Sequence, residues 1–161
     1  MAAILERTGF PPELLVLELT ESVLAANPGN VTVLLARLRG LGVRVAIDDF
    51  GTGYSSLSYL QDLPVDEIKI DGSFVEALTQ LGDASLVSTI IQLGRRLRVS
   101  TIAEWIEQED QAARLRALGC EFGQGYLFGR PAPGETVLER LVAGERDDLA
   151  IATAVPGERS A

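Results

Sequence analysis

Several charged residues, among them carboxylates that could bind a metal ion, occur near the ends of short apolar runs in this 161-residue sequence. Asp48 and Asp49 stand side by side in R-V-A-I-D-D, where one such run stops, and Glu18, Lys69 and Glu104 lie within or at the end of other runs. Charged groups next to a buried strand are costly unless they are neutralised. A pair of adjacent carboxylates at such a position therefore requires a cation that neutralises it.

The apolar runs indicate β-strands that alternate with helices. The five candidate strands are residues 14–19, 44–48, 67–70, 100–104 and 120–124. Apolar residues at helical spacing lie between most of them, over about 31–41, 86–97 and 112–118, and a last helix is predicted over 134–143. This alternation predicts an α/β fold with a parallel sheet, of the kind found in βα barrels.

The period-two alternation of side chains along a strand predicts where the polar groups meet. Each strand offers one apolar face for helices and places a polar residue near its C-terminal end on the other face. Parallel strands bring these ends to one edge, where βα barrels build active sites. The residues expected to converge there are Glu18, Asp48, Asp49 and Glu104, with Lys69 and Gln124 nearby.

Four carboxylates at one edge repel one another unless a cation binds them. An all-oxygen donor set favours Mg²⁺ or Mn²⁺, or Ca²⁺, over zinc. Asp48 and Asp49 are predicted to be a metal-bridging pair. Two metal ions about 3.5–4 Å apart are a standard arrangement for phosphodiester hydrolysis, in which Lys69 could orient the attacking water.

The composition excludes several other functions. The chain has no histidine, which removes His-based triads and His-ligated zinc, and its one cysteine, Cys120, is predicted to be a core residue. A net charge of −9 argues against sequence-independent binding of a nucleic acid polymer. No apolar stretch approaches the roughly 20 residues of a membrane span, and no signal peptide is evident. We expect a cytoplasmic location, where a single thiol stays reduced.

The same polar residues also have structural interpretations that the sequence leaves open. Asp49 could cap a short helix near residues 55–60. Glu18 and Glu21 could be solvated residues at a strand end. Lys69 could pair with a carboxylate on its own face, either residue 67 or residue 71.

Five motifs in order resemble the EAL-domain family. They are E-L-T-E (18–21), D-D-F-G-T-G-Y-S-S-L (48–57), K-I-D (69–71), A-E-W-I-E (103–107) and Q-G-Y-L-F (124–128). The family comprises phosphodiesterases that linearise cyclic dimeric GMP, built as modified TIM barrels with two divalent cations. The resemblance covers about residues 5–142 and implies a partial TIM-like barrel made of strands four to eight.

The resemblance assigns roles to the residues of the predicted edge. Glu18 matches a metal ligand, Asp48 the bridging aspartate and Asp49 its metal-binding neighbour. Lys69 matches the lysine that contacts the catalytic water, and Glu104 matches another metal-site carboxylate. The implied cofactors are therefore two Mg²⁺ or Mn²⁺ ions, and the implied ligand is cyclic di-GMP.

Three further residues acquire roles only through the resemblance. Glu21 matches a glutamate that anchors the loop carrying F-G-T-G-Y-S-S, which couples the metal site to dimerisation in the family. Glu107 and Gln124 match residues that line the site and the nucleotide pocket. On this basis Lys69, Glu21 and Glu107 are expected to serve catalysis and Gln124 to bind substrate.

The sequence departs from the family pattern in ways that matter for activity. The first three strands of the barrel, with the E-A-L motif, a substrate-binding arginine and a metal-binding asparagine, are not found in it. Trp105 replaces a glycine, either covering the site or packing into the gap left by the missing strands. Gly72 replaces an arginine. We expect residues 1–144 to form the C-terminal part of the barrel and 145–161 to be a disordered tail.

Two consequences follow for function. An incomplete metal site is expected to impair hydrolysis, which leaves a non-catalytic module that binds nucleotide or a protein partner as the alternative. A different Mg²⁺-dependent barrel enzyme and a truncated product without function are further alternatives. Open strand edges predict either a homo-oligomer or a partner that supplies the missing barrel half.

Overall fold

The five predicted strands form one parallel sheet in a computed structural model, which describes residues 1–26, 28–53 and 60–143. The strands are β1 (Val16–Thr20), β2 (Arg44–Phe50), β3 (Glu67–Ile70), β4 (Ser100–Ala103) and β5 (Phe122–Gly123). They lie side by side in their order along the chain, as in a βα barrel. Over the described ranges β1 pairs only with β2 and β5 only with β4, so the sheet is a barrel segment with two open edges.

The helices predicted over about 31–41, 86–97, 112–118 and 134–143 are present, together with several that the sequence did not predict. The α-helices are Ala2–Thr8, Glu21–Ala26, Pro28–Gly40, Gly72–Gln80, Ser85–Leu97, Glu109–Leu118 and Gly134–Ala143, with a 3-10 helix at Pro12–Leu14. Helix Gly72–Gln80 begins after an aspartate, a residue typical of helix N-caps, which could have predicted it. The Asp71 carboxylate accepts a hydrogen bond from the Ser73 N–H and caps the helix. Val75 and Leu78 then form its buried face.

The helices cover one face of the sheet and leave the other partly open. Ile47, Ile68 and Ile70 point to the covered face and are fully buried, packed in a core with residues of the flanking helices such as Leu35 and Ile91. Cys120 also lies in this core, as predicted. The opposite face carries the polar residues, which follows from the alternation of side chains along each strand.

Two predictions concern parts of the chain that lie outside the described residues. These are most of the short helix expected near residues 55–60 and the tail expected over 145–161. Among the helices that the structure describes, none has the length and apolar character needed to cross a bilayer.

Candidate functional site

Lys69 lies at the centre of a cluster of carboxylates on the open face of the sheet. Its ammonium Nζ lies 2.8 Å from Glu104 Oε1, 2.9 Å from Glu18 Oε2 and 3.1 Å from Asp48 Oδ1. The parallel register produces this arrangement, because β3 lies between the strand that carries Asp48 and the strand that precedes Glu104. Only 6% of the Lys69 side chain is exposed.

The structure corrects the interpretation in which Lys69 pairs with a carboxylate next to it in sequence. Glu67 pairs instead with the Arg44 guanidinium, and Asp71 caps the following helix. The two residues therefore have partners of their own. Lys69 joins side chains from three different segments.

The cluster keeps Lys69 protonated. Burial by itself lowers the pKa of Lys69, but its contacts with the carboxylates of Glu104, Glu18 and Asp48 outweigh burial and raise the pKa above its ordinary value. An ammonium that holds its proton so firmly cannot act as a base. It can donate hydrogen bonds to an oxygen atom in the site.

One ammonium does not neutralise the negative charge around it. Asp48, Asp49 and Glu104 each place a carboxylate oxygen within 4.8 Å of the others. Burial, and then the neighbouring Asp48, raise the pKa of Glu104 despite the opposing effect of Lys69. Desolvation, followed by repulsion from Asp48 and Asp71, raises the pKa of Asp49. The arrangement thus retains an excess of negative charge.

The position of Asp49 depends on a distortion of β2 that alternation alone does not predict. In a regular strand Asp48 and Asp49 would point to opposite faces. The pairing between β2 and β3 shifts register between Ile47 and Phe50, and Asp49 adopts a left-handed backbone conformation with φ of 53°. This irregularity brings both carboxylates to the same site, as β-bulges often do beside active sites.

The donor set fits a hard divalent cation. Asp48 Oδ1 is buried and, within the described parts of the chain, makes no hydrogen bond, although the Lys69 ammonium lies at 3.1 Å. A buried oxygen of this kind retains acceptor capacity that a cation can use. Carboxylate oxygens without histidine or cysteine are the ligands that Mg²⁺ and Mn²⁺ prefer.

Glu21 supports the loop that follows Asp49, and its interpretation as a solvated residue is wrong. Glu21 is 3% exposed, and its Oε2 accepts hydrogen bonds from the N–H groups of Gly51 at 3.0 Å and Gly53 at 3.1 Å. A Cβ on Gly53 would lie 3.0 Å from the Glu21 carboxyl carbon, so glycine permits this close approach. Glu18, by contrast, is about half exposed.

Glu107 and Gln124 lie beside the carboxylate cluster and not within it. They line a cavity of about 260 Å³ together with Glu104, Trp105, Gly125 and Tyr126. Trp105 does not pack into a gap in the barrel, since its side chain is 72% exposed. The sequence indicated that Trp105 was unusual but did not predict that it would form a cavity wall.

A family profile described as the EAL domain matches residues 1–131. The cyclic di-GMP phosphodiesterase NbdA of Pseudomonas aeruginosa is 44% identical over 147 residues, which are 91% of this chain and 19% of that protein. The first relatives found are matched over only 17–20% of their length. The chain therefore corresponds to a small part of these larger proteins.

Solved structures give the same result. The phosphodiesterase MucR of Pseudomonas aeruginosa, determined as a cyclic di-GMP complex, aligns with a TM-score of 0.80 at 45% identity over 84% of this chain and 55% of that one. A manganese and cyclic di-GMP complex of BlrP1 from Klebsiella pneumoniae aligns with a TM-score of 0.74 at 30% identity, over 81% and 34% of the two chains. The family match, the parallel sheet in barrel order and the ordered motifs agree: this chain belongs to the EAL domain family.

Proposed function

We propose that this chain forms the C-terminal part of a phosphodiesterase domain that hydrolyses cyclic di-GMP to linear diguanylate. The observation that carries the proposal is the cluster at the C-terminal edge of the sheet, in which one buried ammonium faces three carboxylates. The relatives named for cyclic di-GMP hydrolysis support the choice of substrate. The substrate would undergo attack by water on one phosphodiester bond, giving a phosphate monoester and a free hydroxyl group.

Asp48, Asp49 and Glu104 are the residues that would hold Mg²⁺ or Mn²⁺, and Glu18 also contacts Lys69 from strand β1, the neighbour of β2. Such ions, when bound, neutralise charge on the phosphoryl group and make water a stronger nucleophile. The excess negative charge of the cluster favours this occupancy. It would otherwise repel the phosphates of the substrate.

Lys69 would orient the attacking water. Its pKa is raised, so it remains an ammonium and donates a hydrogen bond to the water oxygen. Its contacts with Glu18, Asp48 and Glu104 fix its position, which is the main requirement for a group that orients a reactant. Glu21 would act indirectly, by holding the Gly51–Gly53 segment next to Asp49.

The open edges of the sheet bear on whether this chain acts alone. Over the described ranges β1 and β5 each have one strand neighbour, and Glu18 is half exposed at the β1 edge. Further strands beside these edges would bury Glu18 and complete a barrel. We infer that full activity requires such strands, from a longer protein, a second copy or a partner chain.

The test is metal-dependent hydrolysis of cyclic di-GMP by the full chain, with product separation by chromatography. We expect turnover with Mg²⁺ or Mn²⁺ that falls at least about 100-fold in Asp48→Asn, since even indirect damage to a metal site costs about 10–100-fold. Asp62→Asn, which removes the same charge from an exposed turn, should leave turnover unchanged.

The same assay, combined with a binding measurement, distinguishes the enzyme from the alternative of a non-catalytic binding module. Folded protein that binds cyclic di-GMP without hydrolysing it would be a binding module and would contradict the enzymatic proposal. Folded protein that neither binds nor hydrolyses the dinucleotide would contradict both.

A further inference from the structure

Trp105 combines two unfavourable features at the edge of the proposed active site. Its backbone is left-handed, with φ of 58°, and its side chain is 72% exposed. Its neighbours Glu104 and Ile106 are both buried. A bulky residue in this conformation is an outlier, and packing of an exposed indole does not compensate for it. An outlier of this kind next to a site is a reason to look for a function.

Gly72 is the residue that makes room for Trp105. A Cβ on Gly72 would lie 2.6 Å from Trp105 Cγ and 2.7 Å from Trp105 Cβ, closer than side chains can approach. The base of the indole therefore rests directly on the backbone at Gly72. The two positions depend on each other, because any larger residue at 72 would displace the tryptophan.

The indole held in this way lines the cavity of about 260 Å³ beside Glu104. Tyr126 provides a second aromatic ring, over which the Arg130 guanidinium carbon lies 4.7 Å from the ring centre. Glu107 and Gln124 supply a carboxylate and an amide. The volume is below the roughly 300–1,000 Å³ of whole small-molecule sites, which suits one part of a ligand, such as a base.

Backbone contacts join the two segments that form this cavity. The Ile106 N–H donates to Gln124 O at 3.1 Å, and the Leu127 N–H donates to Ile106 O at 3.0 Å. A Cβ on Gly125 would lie 2.1 Å from Ile106 O, so this close packing requires glycine. The Glu107 N–H donates to the side-chain oxygen of the buried Gln111 at 2.7 Å. The cavity is therefore preformed.

We propose that Trp105 is a substrate-binding residue that stacks on one guanine base of the cyclic dinucleotide, in the cavity shared with Glu107 and Gln124. Stacking on an aromatic ring holds any base, so the polar groups must provide selectivity. Guanine presents two adjacent N–H donors that a carboxylate such as Glu107 accepts, and adenine lacks this pair. The proposal rests on the proposed function, since it assigns a base to the same site.

The chain reports on this stacking directly, because Trp105 is its single tryptophan. Titration of the full chain with cyclic di-GMP in the presence of Mg²⁺ should quench the tryptophan emission in a saturable manner. Cyclic di-AMP, which has the same backbone phosphates, should quench it only at much higher concentration. Saturable binding by equilibrium dialysis without any change in emission would overturn the proposal.

Trp105→Gly separates a role in binding from a role in folding. Glycine adopts the left-handed conformation without steric strain, so we expect the variant to have a higher thermal midpoint than the parent. Equilibrium dialysis should nevertheless give about 5- to 150-fold weaker binding of cyclic di-GMP, the range for loss of one stacked base. Trp105→Phe, which keeps a ring, should bind better than Trp105→Gly.

Arg98→Gly is the matched control. Arg98 is also a non-glycine residue with a left-handed backbone, at φ of 59°, and it lies at the end of helix Ser85–Leu97. Its replacement should raise the thermal midpoint in the same way and leave binding of cyclic di-GMP unchanged. Gly72→Ala should displace the indole and weaken binding, and it should have no such effect when combined with Trp105→Gly.

The outcomes distinguish this inference from the proposed function. Binding by the parent chain that is equally tight in Trp105→Gly would overturn the inference and leave the proposed function intact. No binding of cyclic di-GMP by the parent chain would overturn both. A Trp105→Gly variant with a lower thermal midpoint, not restored by phenylalanine, would show a structural role and overturn the inference.

Discussion

The two ends of the same parallel sheet differ in how their charged side chains are paired. At the N-terminal end, Arg44 pairs with Glu67 and Arg39 pairs with Asp66, so that each cation has one carboxylate. At the C-terminal end the Lys69 ammonium contacts three carboxylates, and Asp49 adds a fourth nearby. The two arginine side chains are nearly half exposed, whereas Lys69 is almost fully buried.

The difference supports the proposal that the C-terminal end of the sheet is the functional one. One-to-one pairs leave no net charge, and in βα barrels the N-terminal end of the strands serves stability. A cluster with more carboxylates than cations is less stable by itself, and it becomes favourable when a divalent cation binds. Active sites are expected to show such an imbalance of charge, because part of the charge there serves to bind a ligand and is not neutralised by the protein itself.

Replacing the central cation should have the largest effect and would test the comparison most directly. Lys69→Met leaves buried carboxylates without an ammonium, which we expect to reduce the free energy of unfolding by about 3–5 kcal/mol without divalent cations. Hydrolysis should fall at least about 100-fold. Urea unfolding with and without Mg²⁺ measures the first effect, and Mg²⁺ should restore part of the lost stability.

Arg44→Met is the control from the opposite end of the sheet. The Arg44 side chain is 44% exposed and Glu67 can take up a proton once its partner is gone, so the loss of stability should be smaller. Mg²⁺ should not restore it. Equal recovery by Mg²⁺ in both variants would mean that the two ends do not differ as described.

A smaller effect is expected from the residue that supports the Asp49 loop. Glu21→Gln removes the charge from an oxygen that accepts two backbone hydrogen bonds, and we expect a loss of about 1.5–3 kcal/mol in unfolding free energy. Turnover should also decrease, since Asp49 lies next to this loop. Glu13→Gln, at an exposed position, should change stability by less than about 0.5 kcal/mol, and a similar loss there would argue against a specific role for Glu21.

The smallest expected effect is the contribution of Glu67, at the N-terminal end of the sheet, to the pH dependence of stability. Burial raises the pKa of Glu67 above its ordinary value of 4.5, against the opposing effect of Arg44. The native state then binds the proton more tightly than the unfolded state, so this residue makes stability rise as pH falls towards 4.5. Lys69, whose pKa is raised, contributes stability that is complete below 10.5 and is lost only as pH rises through its higher native value.

Urea unfolding between pH 4.5 and 7, without divalent cations, measures this contribution. Glu67→Gln should flatten the rise in stability towards acid pH relative to the parent chain. A steeper rise in the variant would contradict the assignment of a raised pKa to Glu67.

The sequence was sufficient to locate the strands and most of the polar cluster. The five apolar runs form five strands, and their alternation of side chains gives each strand an apolar face that helices cover. The same alternation places Asp48 and Lys69 together at one edge. Helix Gly72–Gln80 was missed although Asp71, Val75 and Leu78 formed a readable pattern, so that failure was not a limit of the sequence.

The remaining features depend on contacts between distant segments. Asp49 reaches the site through a register shift that arises only when β2 pairs with β3. Glu21 is buried because a loop 30 residues later folds over it and donates two N–H groups. The residues next to Asp49 and Glu21 in sequence do not indicate the strand pairing or the loop contact on which these positions depend.

The sequence by itself determined which segments form strands, the face on which most of the charges lie and the chemistry that they favour, because these follow from residue type and a period of two. Tertiary structure alone decided which charges pair, and it placed Lys69 with three carboxylates and Glu67 with Arg44. It also brought Gly72 beneath Trp105, across more than 30 residues of chain. Partner choice depends on distances of a few ångströms, which only the packed sheet sets.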